Sequence, residues 1–215
     1  MKYPKIQTIW KRESGRPCRI IHGDYSKPEF RAIKMWDVTE KIDGANTRII
    51  FEVGAVKVLG RNDQTMMPPD LLTHIHENIT REKLRSVFSP VPPLVVLFGE
   101  GYGAKIQKGG ALYRQDQGFV LFDVWISNES GGGWWLEHES VCDIAAKLEI
   151  PVVPLIGTME TASALTLITA NETGLSSCLA DRARPWEGIV ARSHPLMLFR
   201  NGDPIMWKLK VRDYK

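Results

Sequence analysis

No apolar run in this sequence approaches the roughly 20 residues that a membrane-spanning helix needs. The opening Met1-Lys2-Tyr3-Pro4-Lys5 is not followed by the apolar stretch of a secretory signal. The chain is therefore expected inside a cell, in the cytoplasm, without membrane contact. Cysteine is scarce: Cys18, Cys142 and Cys178 are far apart, odd in number and free of CxxC spacing, which argues against a disulfide framework or a zinc site. They are read as small apolar fillers. An excess of one charge is also missing, with 28 Lys and Arg against 25 Asp and Glu for a net +3. That balance neither demands nor opposes a polyanionic partner, so charge placement matters more than the total. Repeats and low-complexity linkers are absent, and Gly131-Gly132-Gly133 reads as a loop. What remains, 43% hydrophobic and 25% charged in 215 residues, is an ordinary globular composition sufficient for one large domain spanning 1–215.

Apolar or alternating runs at Thr47–Val53, Leu94–Phe98, Phe119–Ile126, Glu187–Ala191, Pro195–Arg200 and Pro204–Val211 predict strands. Asn201-Gly202 predicts a hairpin with a type I′ turn, since both residues tolerate positive φ. Helical spacing over Pro69–Val87 places Leu71, Leu72, Ile75, Ile79, Leu84 and Val87 on one face. A second helix is expected over Ser140–Leu148 with Ser140 as N-cap, and a third within Thr161–Ala180, where Thr content and Gly174 blur the limits.

Chemistry concentrates in a few short segments. Glu40-Lys41-Ile42-Asp43-Gly44 precedes the strand-like Asn46–Val53, so Lys41 is expected in a loop entering a sheet, facing a ligand. An amine attacks phosphorus only in its neutral form, and a lysine with an ordinary pKa of about 10.4 needs burial or cationic neighbours to reach it. Trp207-Lys208-Leu209-Lys210 supplies such neighbours, because alternation puts Lys208 and Lys210 on one side of a strand. Glu100 between glycines and Glu187 before Gly188 offer hard oxygens, and Phe122 offers an aromatic plane. Each residue also has a bland reading: a solvated turn lysine, a turn carboxylate, sheet core, the exposed face of an edge strand. Their mutual fit favours a site, since phosphate needs cations, a purine an aromatic plane, and magnesium oxygen ligands.

In this order, from Glu40 to Lys210, the segments resemble the covalent nucleotidyltransferase superfamily of ATP-dependent ligases and RNA capping enzymes. Glu40–Gly44 is similar to its KxDG nucleophile motif, Leu97–Gly101 to the ribose-binding carboxylate motif and Phe119–Val124 to the purine-stacking strand. Trp186–Val190 is similar to EGxV, and Trp207–Lys210 to KxK. Asn46, five residues after Lys41, and Arg61 in Leu59-Gly60-Arg61-Asn62 bring the pattern closest to the RNA ligase 2-like branch. Asp43, where that branch often has His, follows the DNA ligases and capping enzymes instead.

The resemblance implies an α+β fold of mainly antiparallel sheets flanking a nucleotide cleft, with peripheral helices. It implies ATP as co-substrate with Mg2+ or Mn2+, and Lys41 as the residue that becomes attached to AMP. Glu40 and Ile42 would contact adenine, with Asp43 and Gly44 completing the motif beside them. Phe122 would stack on the purine, Glu100 would hold the ribose, Asn46 would belong to the active site, and Arg61 would meet the nucleotide phosphate or the RNA end. Glu187 would bind metal directly or through water, and Lys208 and Lys210 would contact the α-phosphate. The implied partners are RNA ends or a nicked duplex, DNA included; no protein partner is expected. A DNA ligase, a GTP-dependent capping-type guanylyltransferase core and an inactive nucleic-acid-binding relative remain alternatives. The basic, glycine-rich segment 103–110 with Lys105 and Lys108, and nearby Arg114, could meet a phosphodiester backbone or simply confer solubility. Trp134-Trp135 could stack on bases or pack inward. The sequence closes shortly after KxK, so a C-terminal OB-fold or helical domain is not expected within it.

Overall fold

The computed structural model describes residues 1–15, 18–170 and 176–214. Its first strands and helix are β1 (Gln7–Thr8), β2 (Trp10–Arg12), β3 (Ile20–Tyr25), α1 (Pro28–Ala32), β4 (Met35–Lys41), β5 (Ala45–Glu52) and β6 (Ala55–Gly60). There follow α2 (Pro69–Asn78), α3 (Arg81–Val87), β7 (Leu94–Gly103), β8 (Gln117–Ser127), β9 (Gly133–Trp135) and α4 (His138–Leu148). The last elements are β10 (Leu155–Glu160), α5 (Thr161–Ala170), β11 (Gly188–Ser193), β12 (Met206–Lys210) and α6 (Val211–Tyr214). Two compact units emerge, one of Met1–Tyr3, Asp43–Val153 and Leu179–Arg182, the other of Pro4–Ile42, Pro154–Cys178 and Ala183–Lys215. The mixed α+β class with antiparallel sheets is as the resemblance implied.

The first unit is built on an antiparallel sheet ordered β6-β5-β7-β8-β9. Alternation turns Ile49, Phe51, Leu97, Phe119 and Leu121 to one face, where Leu71 and Ile75 of α2, Leu84 of α3 and Val141 and Leu148 of α4 close the core. The same alternation sends Asn46, Arg48, Phe98 and Glu100 to the other face. Arg48 is buried there, its guanidinium donating to Gly60 O at 2.9 Å, Met1 O at 2.6 Å and Asp63 Oδ1 at 2.6 Å.

The second unit carries the sheet β1-β12-β11-β4-β10, antiparallel except for the β1–β12 pair, and the β2–β3 ribbon. Trp36, Val38, Ile189, Trp207 and Leu209 fill its core with Ala164 and Ile168 of α5.

Several expectations are corrected. Pro69–Val87 is two helices, because the chain leaves helical geometry at Ile79 and restarts at Thr80, whose side chain caps α3 by accepting from Lys83 N at 3.3 Å. The helix expected from Ser140 begins at His138, so Ser140 lies in its first turn rather than at the cap. Of Thr161–Ala180, Thr161–Ala170 is helical, 171–175 lie outside the described residues, and Ser176 bridges to Pro185. Pro195–Arg200 is not a strand: Pro195 lacks an N–H, Met197 N donates to Ser193 Oγ at 2.8 Å, and only a bridge between Leu198 and Pro204 forms. At Asn201-Gly202 only Gly202 has positive φ, and Gly202 N closes the turn on Phe199 O at 2.9 Å. That geometry is a type I turn followed by a left-handed glycine.

The two-residue turn with both φ values positive occurs instead between β5 and β6, at Val53 (φ 48°) and Gly54 (φ 73°). A β-branched residue is strained there, and Val53 is 91% exposed, so its side chain gains nothing from burial. Val53→Asn is expected to stabilise the protein by about 1 kcal/mol, read as a higher urea midpoint at unchanged m-value. An unchanged midpoint would refute this account of the turn.

Candidate functional site

β4 turns Trp36, Val38 and Glu40 into the core of the second unit, which leaves Lys41 on the opposite, half-buried face with Asp37 and Thr39. Lys41 is the last residue of a strand rather than a loop residue, so pairing with β11 fixes its backbone. Gly188 is the register partner of Lys41 on one side and of Lys210 on the other. A Cβ on Gly188 would lie 2.1 Å from Leu209 O and 2.7 Å from Lys210 Cα, so the strands can meet here only at glycine.

Glu187 immediately precedes β11, and its carbonyl accepts from Val211 N at 3.0 Å. Its carboxylate bridges two ammonium groups, with Oε2 2.5 Å from Lys41 Nζ and Oε1 2.5 Å from Lys210 Nζ. The three side chains are 20%, 13% and 22% exposed for Lys41, Glu187 and Lys210. Burial works to raise the Glu187 carboxyl, but the charge of Lys41 and the hydrogen bonds from Lys210 and Lys41 outweigh it and hold it below its ordinary value. Lys208 is half-buried on the same face as Lys210. β12 lies between β1 and β11, so these lysines do not belong to an edge strand.

Glu40 behaves differently. Its side chain is buried on the face away from Lys41, where Oε2 accepts from Cys178 Sγ at 3.7 Å and Oε1 has no hydrogen-bond partner among the described residues. Burial pushes its carboxyl up, opposed by hydrogen bonds from Ser177 and Cys178 and by the charge of Arg184. A carboxyl raised by folding costs stability as pH climbs from its unfolded value, near 4.3, through its folded value. Glu40→Gln is therefore expected to gain melting temperature relative to the parent as pH rises above the unfolded carboxyl value, about 4.3. A difference that stays flat over that rise would contradict the burial cost. Ile42, the other residue expected near adenine, is 4% exposed.

In the first unit, Asn46 is the register partner of Glu100 across β5 and β7. Asn46 Oδ1 is buried without a hydrogen-bond partner among the described residues. Gly44 is sterically required: a Cβ would lie 2.2 Å from Gly101 O and 2.7 Å from Glu100 Cγ. Its carbonyl accepts from Gln107 Nε2 at 2.9 Å, and Asp43 N donates to the Tyr113 hydroxyl at 3.2 Å. Thus Gln107 and Tyr113 fix the end of the KxDG segment, roles that the sequence did not reveal. Gln107 lies in the basic loop, where attention falls on Lys105 and Lys108, both exposed. Arg114 makes a two-pronged pair with Asp116, at 2.6 and 2.7 Å, and stands 5.8 Å over the Tyr102 ring. Arg61 is exposed just beyond β6, and Phe122 is half-buried on β8. Trp135 is 5% exposed and packs on Phe98, whereas Trp134 is 49% exposed.

A profile of the RNA ligase family matches residues 34–210, from the start of β4 through the KxK lysines. The chain belongs to the RNA ligase family. A search of curated proteins by sequence gave no significant match. Among solved structures, the chain is similar to Naegleria gruberi RNA ligase with PPi, at TM-score 0.65 and 16% identity over 100% of this chain and 57% of that one. The K170A mutant of Naegleria gruberi RNA ligase with ATP and Mn gives TM-score 0.63 and 21% identity over 98% of this chain and 62% of that one. An archaeal ATP-dependent RNA ligase gives TM-score 0.63 and 17% identity, over 99% and 48%. At such identities the likeness concerns the fold, and this chain spans only about half to three-fifths of the length of those proteins.

Within the fold, the second unit's sheet brings together Lys41, Glu187 and Lys210 with Lys208 beside them, and the first unit's sheet pairs Asn46 with Glu100. The described residues contain no group of three or more His, Cys, Asp or Glu that could cage a metal. A magnesium-type ion needs no such cage, because it takes one or two protein carboxylates and completes its shell with water and phosphate oxygens. Glu187, whose oxygens here meet Lys41 and Lys210, would be the carboxylate to hold such an ion.

Proposed function

We propose that this chain is the adenylating part of an ATP-dependent RNA ligase, acting inside the cell as a single nucleotidyltransferase domain. The observation that carries this reading is the Lys41–Glu187–Lys210 cluster, with each residue at the family's motif position. Lys41 Nζ attacks the α-phosphorus of ATP, forming a P–N bond as the bond to the bridging oxygen breaks and pyrophosphate leaves. A 5′-phosphate oxygen of the polynucleotide then attacks the same phosphorus and releases Lys41. Finally a 3′-hydroxyl attacks the 5′-phosphate, and AMP departs as the phosphodiester forms.

Lys210 and Lys208 face the α-phosphate and stabilise the charge that builds on its oxygens. Glu100 holds the ribose hydroxyls, Phe122 stacks on the purine, and the backbone at Glu40 and Ile42, with the turn at Asp43-Gly44, borders the adenine. Asn46 and Arg61 act on the nucleotide and on the RNA end, and Lys105, Lys108 and Arg114 lie along the RNA backbone. Bound at Glu187, Mg2+ or Mn2+ offsets phosphate charge. Naegleria gruberi RNA ligase in complex with ATP and Mn supports a nucleotide and a divalent ion in this family.

The test is incubation with ATP labelled at the α-phosphate and a divalent ion, followed by a denaturing gel. Covalent label from ATP, and none from GTP in parallel, is the expected result. Exclusive labelling by GTP would make the chain a guanylyltransferase, and no label from either would leave a nucleic-acid-binding relative. Matched nicked duplexes of RNA and DNA then decide the substrate, with RNA sealed faster.

A further inference from the structure

The face of the first unit that carries Asn46 and Glu100 also receives the first residues of the chain. Met1 O accepts from the buried Arg48 at 2.6 Å, and the Tyr3 hydroxyl donates to Asp123 Oδ2 at 3.0 Å. Asp123 is 1% exposed, and its other oxygen accepts from Val124 N at 3.0 Å. The Tyr3 ring stands 4.9 Å from Phe122 at 68°, 5.0 Å from Phe98 at 53° and 5.6 Å from Trp135 at 85°. Tyr3 is therefore gripped at its hydroxyl by a buried carboxylate and at its ring by three aromatic neighbours.

Phe122 needs such a neighbour. The β7–β8 register pairs Phe98 with Asp123 and Gly99 with Leu121, which leaves Phe122 as the extra residue of a bulge. Bulges re-aim side chains, and here strand pairing does not fix the direction of the ring. Among the described residues, the aromatic ring in contact with Phe122 is that of Tyr3, edge-on. A stacking platform is effective when its plane is set before the ligand arrives, because ordering it during binding costs affinity.

We propose that Tyr3 is a positioning residue for the purine slot, holding the Phe122 ring in the plane on which adenine stacks. The inference rests on Phe122 being the stacking residue of the proposed adenylation site. KM and kcat for ATP in formation of the covalent adduct, together with melting temperature, are measured for the full chain carrying Tyr3→Leu, Tyr3→Phe or Phe122→Leu. Tyr3→Leu is expected to raise KM about tenfold with kcat within about twofold. Tyr3→Phe, which restores the ring but not the hydroxyl, recovers most of the KM while still melting below the parent, since Asp123 loses a donor. If Tyr3→Leu and Tyr3→Phe share one KM, or if the loss falls on kcat alone, Tyr3 serves stability only and the inference is overturned. It is likewise overturned if Phe122→Leu raises KM and Tyr3→Leu does not, whereas a chain that forms no adduct, or is indifferent to Phe122→Leu, overturns the adenylation site itself.

Discussion

Lys41→Ala is expected to abolish transfer of label from ATP to the protein, a loss of at least about a thousandfold. A covalent adduct requires a nucleophile at one position, and no second amine takes that place: Lys210 reaches the same carboxylate from a different strand, with Gly188 between them. The fold should tolerate the change, because Glu187 keeps its pair with Lys210 and the Lys41 side chain is already partly open to solvent. Lys41→Arg separates the two properties of the residue. It keeps a cation facing Glu187 but presents a guanidinium that does not deprotonate at accessible pH, so label is lost there too. Label persisting on Lys41→Ala would move the nucleophile elsewhere, and labelling by Lys41→Arg would mean that charge rather than attack is what Lys41 provides.

The cluster around Lys41 was legible because it depends on short patterns and on alternation. Once β12 is read as a strand, Lys208 and Lys210 must share a face, and the structure puts them there. β4 was harder to see. Its inward positions are Trp36, Val38 and Glu40, and a buried carboxyl in the third place interrupts the apolar alternation that marks a strand. β7 was read too short for a related reason. Gly99 and Gly101 look like breaks, yet a Cβ on Gly99 would lie 2.2 Å from the Phe119 ring, so glycine is what lets the neighbouring strand pack.

The supporting residues were hidden by distance along the chain. Gln107 bonds Gly44, Tyr113 bonds Asp43 and Tyr3 bonds Asp123, and each partnership exists only once β5, β7 and β8 are side by side. No local signal distinguishes Gln107 from a solvated loop residue or Tyr3 from an ordinary aromatic near the start of the chain. Sequence pattern thus reached the groups that bear charge, and tertiary pairing was needed to find those that aim them.

Glu187→Ala should lower the rate of adduct formation by about a hundred- to a thousandfold, for a reason distinct from that at Lys41. The carboxylate keeps two ammonium groups in a half-buried place, each 2.5 Å from one of its oxygens. Without it, Lys41 and Lys210 lose the group that holds both ammonium groups in place, and, on the proposed reading, the oxygen donor for the divalent ion is gone. Glu187→Gln keeps the shape and removes the charge, so it is expected to lose nearly as much. The pH response carries a sign. Because the carboxyl is held below its ordinary value, its contribution to stability is complete above the unfolded value, near 4.3, and disappears as pH falls through the lower folded value. Glu187→Gln should lack that acid-side decline, so its melting temperature should approach that of the parent as the medium is acidified. Adduct formation by Glu187→Gln at more than about a tenth of the parental rate with saturating divalent ion would show that the carboxylate is a structural pair for the lysines and not part of the reaction.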